Sequence, residues 1–264
     1  MKIALCLFGY PKGSTVYAGG AYEQKFKHLQ DQVMIHSPDV FIHTWDLSLE
    51  AELIKIFNPK KCIFEKQKSF DELIDSIDTN RFANSRGDIF KTLSFFYTRY
   101  KSNQLKVKHE SEHRFKYDCV ITSRFDVGYH NYGKNKTSYV DFDPRRNMIP
   151  IYSAYWDQIN AGISDHWFYS NSSNIDIVCD IYNHAISYLQ KDSEYCQNMT
   201  SGWLDSNHHL EFSNEFLKNH KTSSKKKYPE HYCLNNHCLY KWHLYKNDLW
   251  NRERCKFLNK HLWE

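Results

Sequence analysis

The amino-acid sequence predicts an α/β protein: a mostly parallel central sheet flanked by helices, followed by a less regular C-terminal region. Three observations lead there. Short, continuously apolar runs such as "KIALCLF" (residues 2–8) have the pattern of strands buried on both faces of a parallel sheet. These runs alternate with segments of helical period, giving β-α-β-α-β-α up to residue 77. Finally, "YDCVITSRFDVGY" (117–129) sets an Arg and an Asp at the far end of an apolar strand, where a core strand gains nothing from them. The carboxyl ends of strands are where α/β sheets hold ligands.

Taken in order, "KIALCLF" is stopped by a Gly-x-Pro-x-Gly turn. "AYEQKFKHLQDQVMIH" then keeps Tyr22, Phe26, Leu29, Val33 and Met34 at helical spacing. "DVFIHTW" is the second strand, "LSLEAELIKIFNP" a helix closed before Pro59, and "KCIF" the third strand. "SFDELIDSI" reads as a helix with Ser69 as N-cap and Glu72 three residues on. A long helix is expected from Asp88 to about His113, with Ile89, Leu93, Phe96, Tyr97 and Tyr100 on one stripe, delivering the chain to the strand at Tyr117. Residues 130–146 read as a polar loop, and "NMIPIYS" and "GISDHWFYS" as two further strands. "SSNIDIVCDIYNHAISYLQ" predicts one amphipathic helix burying Val178, Ile181, Tyr182, Ala185 and Leu189, capped by Ser172 or Ser173. Another helix is expected over "SNHHLEFSNEFLKNH". The tail "HYCLNNHCLYKWHLYKNDLWNRERCKFLNKHLWE" shows no clean period.

Composition narrows the class. With 264 residues, 41% hydrophobic, the chain can bury one large core. Its 35 Lys+Arg stand against 31 Asp+Glu, too even a balance for a dedicated nucleic-acid binder, so nucleic acid is not expected as a partner. The eight Cys are scattered, several within apolar patterns where a reduced thiol acts as a small hydrophobe, which points to a reducing compartment. The first apolar run, Ile3 to Phe8, is too short for a signal sequence or a membrane span. A cytoplasmic protein with no transmembrane segment, at most peripheral to a membrane, is expected.

Locally, Asp126 at the end of a central strand suits a divalent metal that neutralises a diphosphate, although an isolated Asp in a strand-end turn is more often a turn-former or cap. A literal Asp-x-Asp occurs at Asp141-Phe142-Asp143, but in a polar stretch before Pro144-Arg145-Arg146, with no strand to aim it. It ranks second. In the tail, His231, Cys233, His237, Cys238, His243 and Cys255 include a Cys-x4-Cys with nearby His that could bind Zn²⁺, at a spacing that matches no well-formed zinc finger.

In their order along the chain, "KIALCLFGYPK", "DVFIHTWD", "FFYTRYKSNQL", "YDCVITSRFDV" and "ISDHWFYSNSSNI" resemble a family of glycosyltransferases of the GT-A fold, nucleotide-sugar enzymes of surface-polysaccharide and glycan synthesis in bacteria and large viruses. The match covers residues 2 to about 190. It implies a Rossmann-type catalytic domain over 1–220, with a nucleotide-binding half to about 128 and an acceptor half over about 129–220. Residues 221–264 would be a basic, aromatic extension packed on the same domain. The resemblance implies Mn²⁺ or Mg²⁺ bound at Asp126, with His208, or its neighbour His209, as a late addition to the metal shell. Arg124 stands where the family carries the first acid of its Asp-x-Asp; it cannot bind a metal, but its planar cation could contact a diphosphate directly.

The same resemblance sets the nucleotide sugar at Phe8, Gly9, Tyr10, Pro11 and Lys12, with Thr44, Trp45 and Asp46 holding base or ribose and Arg99 and Lys101 reaching the phosphates. Asp165 would be the general base that takes the proton of an acceptor hydroxyl, or would orient substrate if configuration is retained. Each position has an ordinary reading beside this one: a strand-to-helix turn at 8–12, a helix cap at Asp46, solvated helix cations at 99 and 101, a turn at Asp165. The expected function is sugar transfer from a nucleotide-sugar donor to a glycan hydroxyl. Two alternatives stand beside it: a sugar nucleotidyltransferase, for which "FGYPKGS" is a poor phosphate loop, and a non-enzymatic glycan- or RNA-binding protein that uses the aromatic and basic tail.

Overall fold

The computed structural model describes residues 1–11, 22–79, 85–127, 140–155, 162–201, 233–251 and 253–258. Its elements are β1 (Ile3–Phe8), α1 (Tyr22–Gln32), β2 (Asp39–Thr44), α2 (Glu50–Phe57), β3 (Lys61–Phe64), α3 (Asp71–Asp75), α4 (Ser85–His113), β4 (Cys119–Arg124), β5 (Ile151–Ala154), β6 (Trp167–Ser170), α5 (Ser172–Cys179), α6 (Ile181–Tyr188), α7 (Glu194–Ser201), α8 (Asn236–Lys246) and β7 (Cys255–Leu258). The strands form one mixed sheet in the order β3-β2-β1-β4-β6-β5-β7. β3, β2, β1 and β4 pair in parallel, β6 runs antiparallel to both β4 and β5, and β7 lies parallel to β5.

β1 is central, and all six of its residues are buried, which is why it reads as an unbroken apolar run. Its alternate residues serve opposite faces. Ala4 and Cys6 pack with Phe41, Val120, Phe168 and the apolar sides of α4, α5, α6 and α8. Ile3, Leu5 and Leu7 pack with Val40, Ile42, Ile121, Trp167 and residues of α1 and α2. The helices therefore cover both faces. No helix among the described residues is long and apolar enough to cross a membrane.

Three expectations are corrected. The single helix expected over 172–190 is two, α5 and α6, parted at Asp180, whose N–H is shared between the carbonyls of Asp176 (3.0 Å) and Ile177 (3.1 Å). Its cap is Asn171, whose side chain accepts from Asn174 N at 2.9 Å; Ser172 is drawn away to Glu110 at 2.7 Å. The tail, expected to be irregular, contributes α8 and the edge strand β7. It shows no period because every residue from Cys238 to Leu244 in α8 is buried, leaving no polar face to alternate with. Tyr240, Trp242, Trp250 and Phe257 are likewise buried, so these four aromatics of the tail belong to the core and are not an exposed stacking surface.

Between α4 and α5 lies a buried ionic network. Lys106 Nζ donates to Asp176 Oδ1 (2.6 Å), Ser172 Oγ (2.7 Å) and Glu110 Oε2 (3.2 Å). Glu110 also accepts from Tyr117 N (2.9 Å) and Lys116 Nζ (3.0 Å). Burial alone would raise the Glu110 carboxyl, but the Ser172 hydroxyl, the Tyr117 N–H and the two lysines outweigh it and hold it below the usual range.

Two buried imidazoles make the fold acid-sensitive. His43 Nε2 lies 2.9 Å from Glu65 Oε1, while its Nδ1 is buried with no hydrogen-bond partner, so a second proton there would be unsatisfied. His243 has Nε2 2.8 Å from the Ile177 carbonyl and Nδ1 2.9 Å from the Tyr188 hydroxyl. Burial pushes both down to about 4. In the unfolded chain they titrate near 6.5, so below that pH the unfolded state takes up protons that the native state refuses. Their stabilisation is whole above about pH 6.5 and is lost as pH falls towards 4, about 2 kcal/mol for each by pH 5. Urea denaturation at pH 7.5 and pH 5 measures the loss; equal midpoints would show that these rings are not held neutral.

Candidate active site at the carboxyl edge of the sheet

The chain lays down β1, β2 and β3 in one direction and then returns to place β4 on the other side of β1. At such a reversal doubly wound sheets bind ligands in a crevice outside the carboxyl ends of the flanking strands, here β1 and β4. Phe8 and Arg124 end these strands as register partners. β1 leaves the sheet through Gly9 at φ +93°, a conformation that suits glycine, and Tyr10 follows half exposed at 50%. Pro11 is buried, and Lys12 lies outside the described residues, as do His208, His209 and His231.

Arg124 and Asp126 answer one another. Arg124 Nε donates to Asp126 Oδ1 at 2.7 Å and Nη2 to Oδ2 at 2.6 Å, a bidentate pair at the mouth of the crevice. Asp126 is only 5% exposed. A hard divalent cation needs six or more oxygen ligands or waters, whereas both oxygens of this carboxylate already accept from a guanidinium. Among the described residues, the one group of three possible ligands within reach of a common ion lies elsewhere, on α4. Among the described residues, none joins Asp126 in a three-ligand group that would hold Mn²⁺ or Mg²⁺. The second Asp-x-Asp is no better placed: Asp143 takes a bidentate pair from Arg145 at 2.9 Å, which holds its carboxyl down to about 2, and Asp141 pairs with Arg146 at 3.1 Å.

Asp165 sits just before β6, 6% exposed, on the wall of a cavity of about 440 Å³. The first turns of α4 (Asp88, Lys91, Thr92) and the start of α8 (Asn235, Asn236, His237) complete the cavity. Burial alone would raise the Asp165 carboxyl; His237, His166, Arg124 and Arg99 outweigh it and keep the group below the usual carboxylate range. His166, pushed down to about 3 by burial and then by Arg124, is itself neutral at physiological pH. Among the described residues no hydrogen-bond donor contacts the Asp165 carboxylate; His237 Nδ1 is 4.0 Å away and lies 2.8 Å from the Ile163 carbonyl. An ionised, nearly buried carboxylate thus faces a cavity with its acceptor capacity unused.

His237 was legible only as a possible zinc ligand, and Gly162, which seats it, not at all. A Cβ at Gly162, at φ +154°, would collide with the His237 backbone. Gly162→Ala is expected to cost about 3 kcal/mol and to displace the start of α8. A urea midpoint unchanged from wild type would show that α8 can shift freely.

Arg99, expected at the phosphates, is held inside the fold, with Nε and Nη1 buried and accepted by no group among the described residues. It is wholly buried, with Nη2 bonded to the Asp165 carbonyl and its guanidinium 4.2 Å from the Phe8 ring centre, 4.9 Å from Phe168 and 5.0 Å from Tyr240. α8 and β6 close over this side of α4, so its cation never reaches solvent. Lys101 lies 5.8 Å from the Tyr97 ring centre. Thr44 and Asp46 shape the backbone: Thr44 Oγ1 accepts from Asp46 N (3.1 Å), and Asp46 Oδ1 accepts from Ser48 N (3.0 Å), capping the turn that leads into α2. Trp45 stacks on Tyr97 with ring centres 5.4 Å apart, near a second cavity of about 490 Å³ lined by Lys68, Phe70, Tyr97 and Tyr182.

Comparison of the chain with known protein families, with curated proteins and with solved structures finds no match.

Proposed function

We propose that the protein is a glycosyltransferase of the GT-A type that moves a sugar from a nucleoside-diphosphate donor to a glycan hydroxyl. The observation that carries this reading is Asp165: a carboxylate held ionised, nearly buried, lining a cavity and accepting no hydrogen bond from the described residues. An acceptor hydroxyl is the donor it lacks. As the bond from the anomeric carbon to the diphosphate breaks, the electron pair leaves with the phosphate, the acceptor oxygen bonds to carbon, and its proton passes to Asp165. The donor lies in the crevice at Phe8–Pro11, and the Arg124 guanidinium faces the departing diphosphate while Asp126 keeps it in plane.

A mostly parallel sheet with its reversal at β1 and β4, the strands that carry these residues, supports a nucleotide in that crevice. No step is assigned to a metal. The test is a hydrolysis screen of common nucleotide sugars, run with Mn²⁺, with Mg²⁺ and with EDTA. One donor is expected to release its nucleoside diphosphate at a rate that EDTA leaves unchanged and that Arg124→Met lowers by about 100-fold. If no donor is hydrolysed and no nucleoside diphosphate raises Tm, the reading fails.

A further inference from the structure

The last turn of α4 carries "HESEH", and the structure brings three of its side chains together. At 3.6 residues per turn, positions 109, 112 and 113 fall within one arc of about 100° of the helix surface. His109, Glu112 and His113 each offer one ligand atom, all within 4.8 Å of one another. The two imidazole ring centres are 4.3 Å apart, a spacing that two imidazolium cations would oppose. His109 is already oriented: its ring lies 5.6 Å from Phe41, 5.9 Å from Phe115 and 6.4 Å, stacked, from Tyr117. Burial and then the neighbouring His113 push its pKa down, which leaves the imidazole neutral and able to donate a lone pair.

We propose that His109, Glu112 and His113 bind a borderline divalent transition metal, zinc foremost, with solvent at the remaining position. Two imidazoles and a carboxylate suit Zn²⁺ at tetrahedral geometry and suit Mg²⁺ or Ca²⁺ poorly. Lys61 Nζ pairs with Glu112 Oε2 at 2.5 Å, and a carboxylate has a second oxygen to give to a metal. That ion pair also keeps Glu112 from serving as a base, so the role is structural. The metal clamps the final turn of α4 just before Arg114, at φ +54°, turns the chain towards β4. Because α4 runs about 25 Å from Thr92 to His109, the site is remote from the cavity beside Asp165 and independent of the activity proposed there.

The test is titration of untagged full-length protein with ZnCl₂ alone, read by calorimetry, with CoCl₂ absorption to report coordination. Wild type is expected to bind one equivalent at micromolar Kd that His113→Ala loses or weakens at least about tenfold, and that His113→Cys, which restores a ligand, recovers. His113 is exposed, so its replacement leaves the fold intact. Zinc at about 100 times Kd should raise Tm by roughly 5 °C in wild type and in Asp165→Asn alike, but not in His113→Ala. Wild type and His113→Ala binding zinc with equal stoichiometry and affinity would place the metal elsewhere, on the tail cysteines for example, and overturn the proposal. So would the absence of any equivalent bound below about 0.1 mM.

Discussion

Asp165→Asn is expected to lower sugar transfer by about 10³-fold while leaving nucleoside-diphosphate binding within about twofold of wild type. The amide is isosteric, and the Asp165 carbonyl that Arg99 holds is untouched, so the segment before β6 keeps its course. What disappears is the carboxylate that accepts the proton. A pH-rate profile adds a second readout: with the Asp165 carboxyl held below its ordinary range, the wild-type acid limb should lie below the usual carboxylate range and far under that of histidine. A limb in the histidine range would mean that an imidazole takes the proton instead. An Asn variant as fast as wild type would remove Asp165 from the chemistry altogether.

Lys106→Met is expected to destabilise the protein by about 3–5 kcal/mol, the largest effect foreseen for a residue with no contact to the cavity. The Glu110 side chain is 1% exposed and would keep the Lys116 ammonium, the Ser172 hydroxyl and the Tyr117 N–H, but lose the buried cation; Asp176 would lose its 2.6 Å partner. Combining Lys106→Met with Glu110→Gln removes the stranded charge and should recover part of the loss, so urea denaturation of both variants separates lost packing from lost charge pairing. A single-variant loss below about 1 kcal/mol would show that water reaches the network.

Three strands of the parallel half, β1, β2 and β4, are legible in the sequence because they are buried on both faces and declare themselves as apolar runs. The crevice is legible for the same reason, since Arg124 and Asp126 interrupt such a run at its carboxyl end. What they do there is not, because a metal ligand and a guanidinium partner are both written as Asp. The burial of Arg99 is hidden for a related cause: a cation on a long helix is usually solvated, and only the closure of α8 over that side encloses it. α8 is hidden because burial on every side erases helical period. His237 and Gly162 become partners across 75 residues of chain, a separation at which local pattern carries no information.

The placement of α8 and β7 also gives the molecule an order of assembly in time. On a translating ribosome, β1 to β4 and α4 are synthesised well before residue 233, so the crevice with its guanidinium–carboxylate pair has its components early. The wall that His237, Asn235 and Asn236 give to the neighbouring cavity, and the outer edge that β7 adds beside β5, can be set only once the chain to residue 258 has left the exit tunnel. On the proposed function, a nascent chain stalled short of that point would hold the donor side of the site and lack the acceptor side. Sugar transfer, which on that reading needs both sides, would be withheld from unfinished molecules.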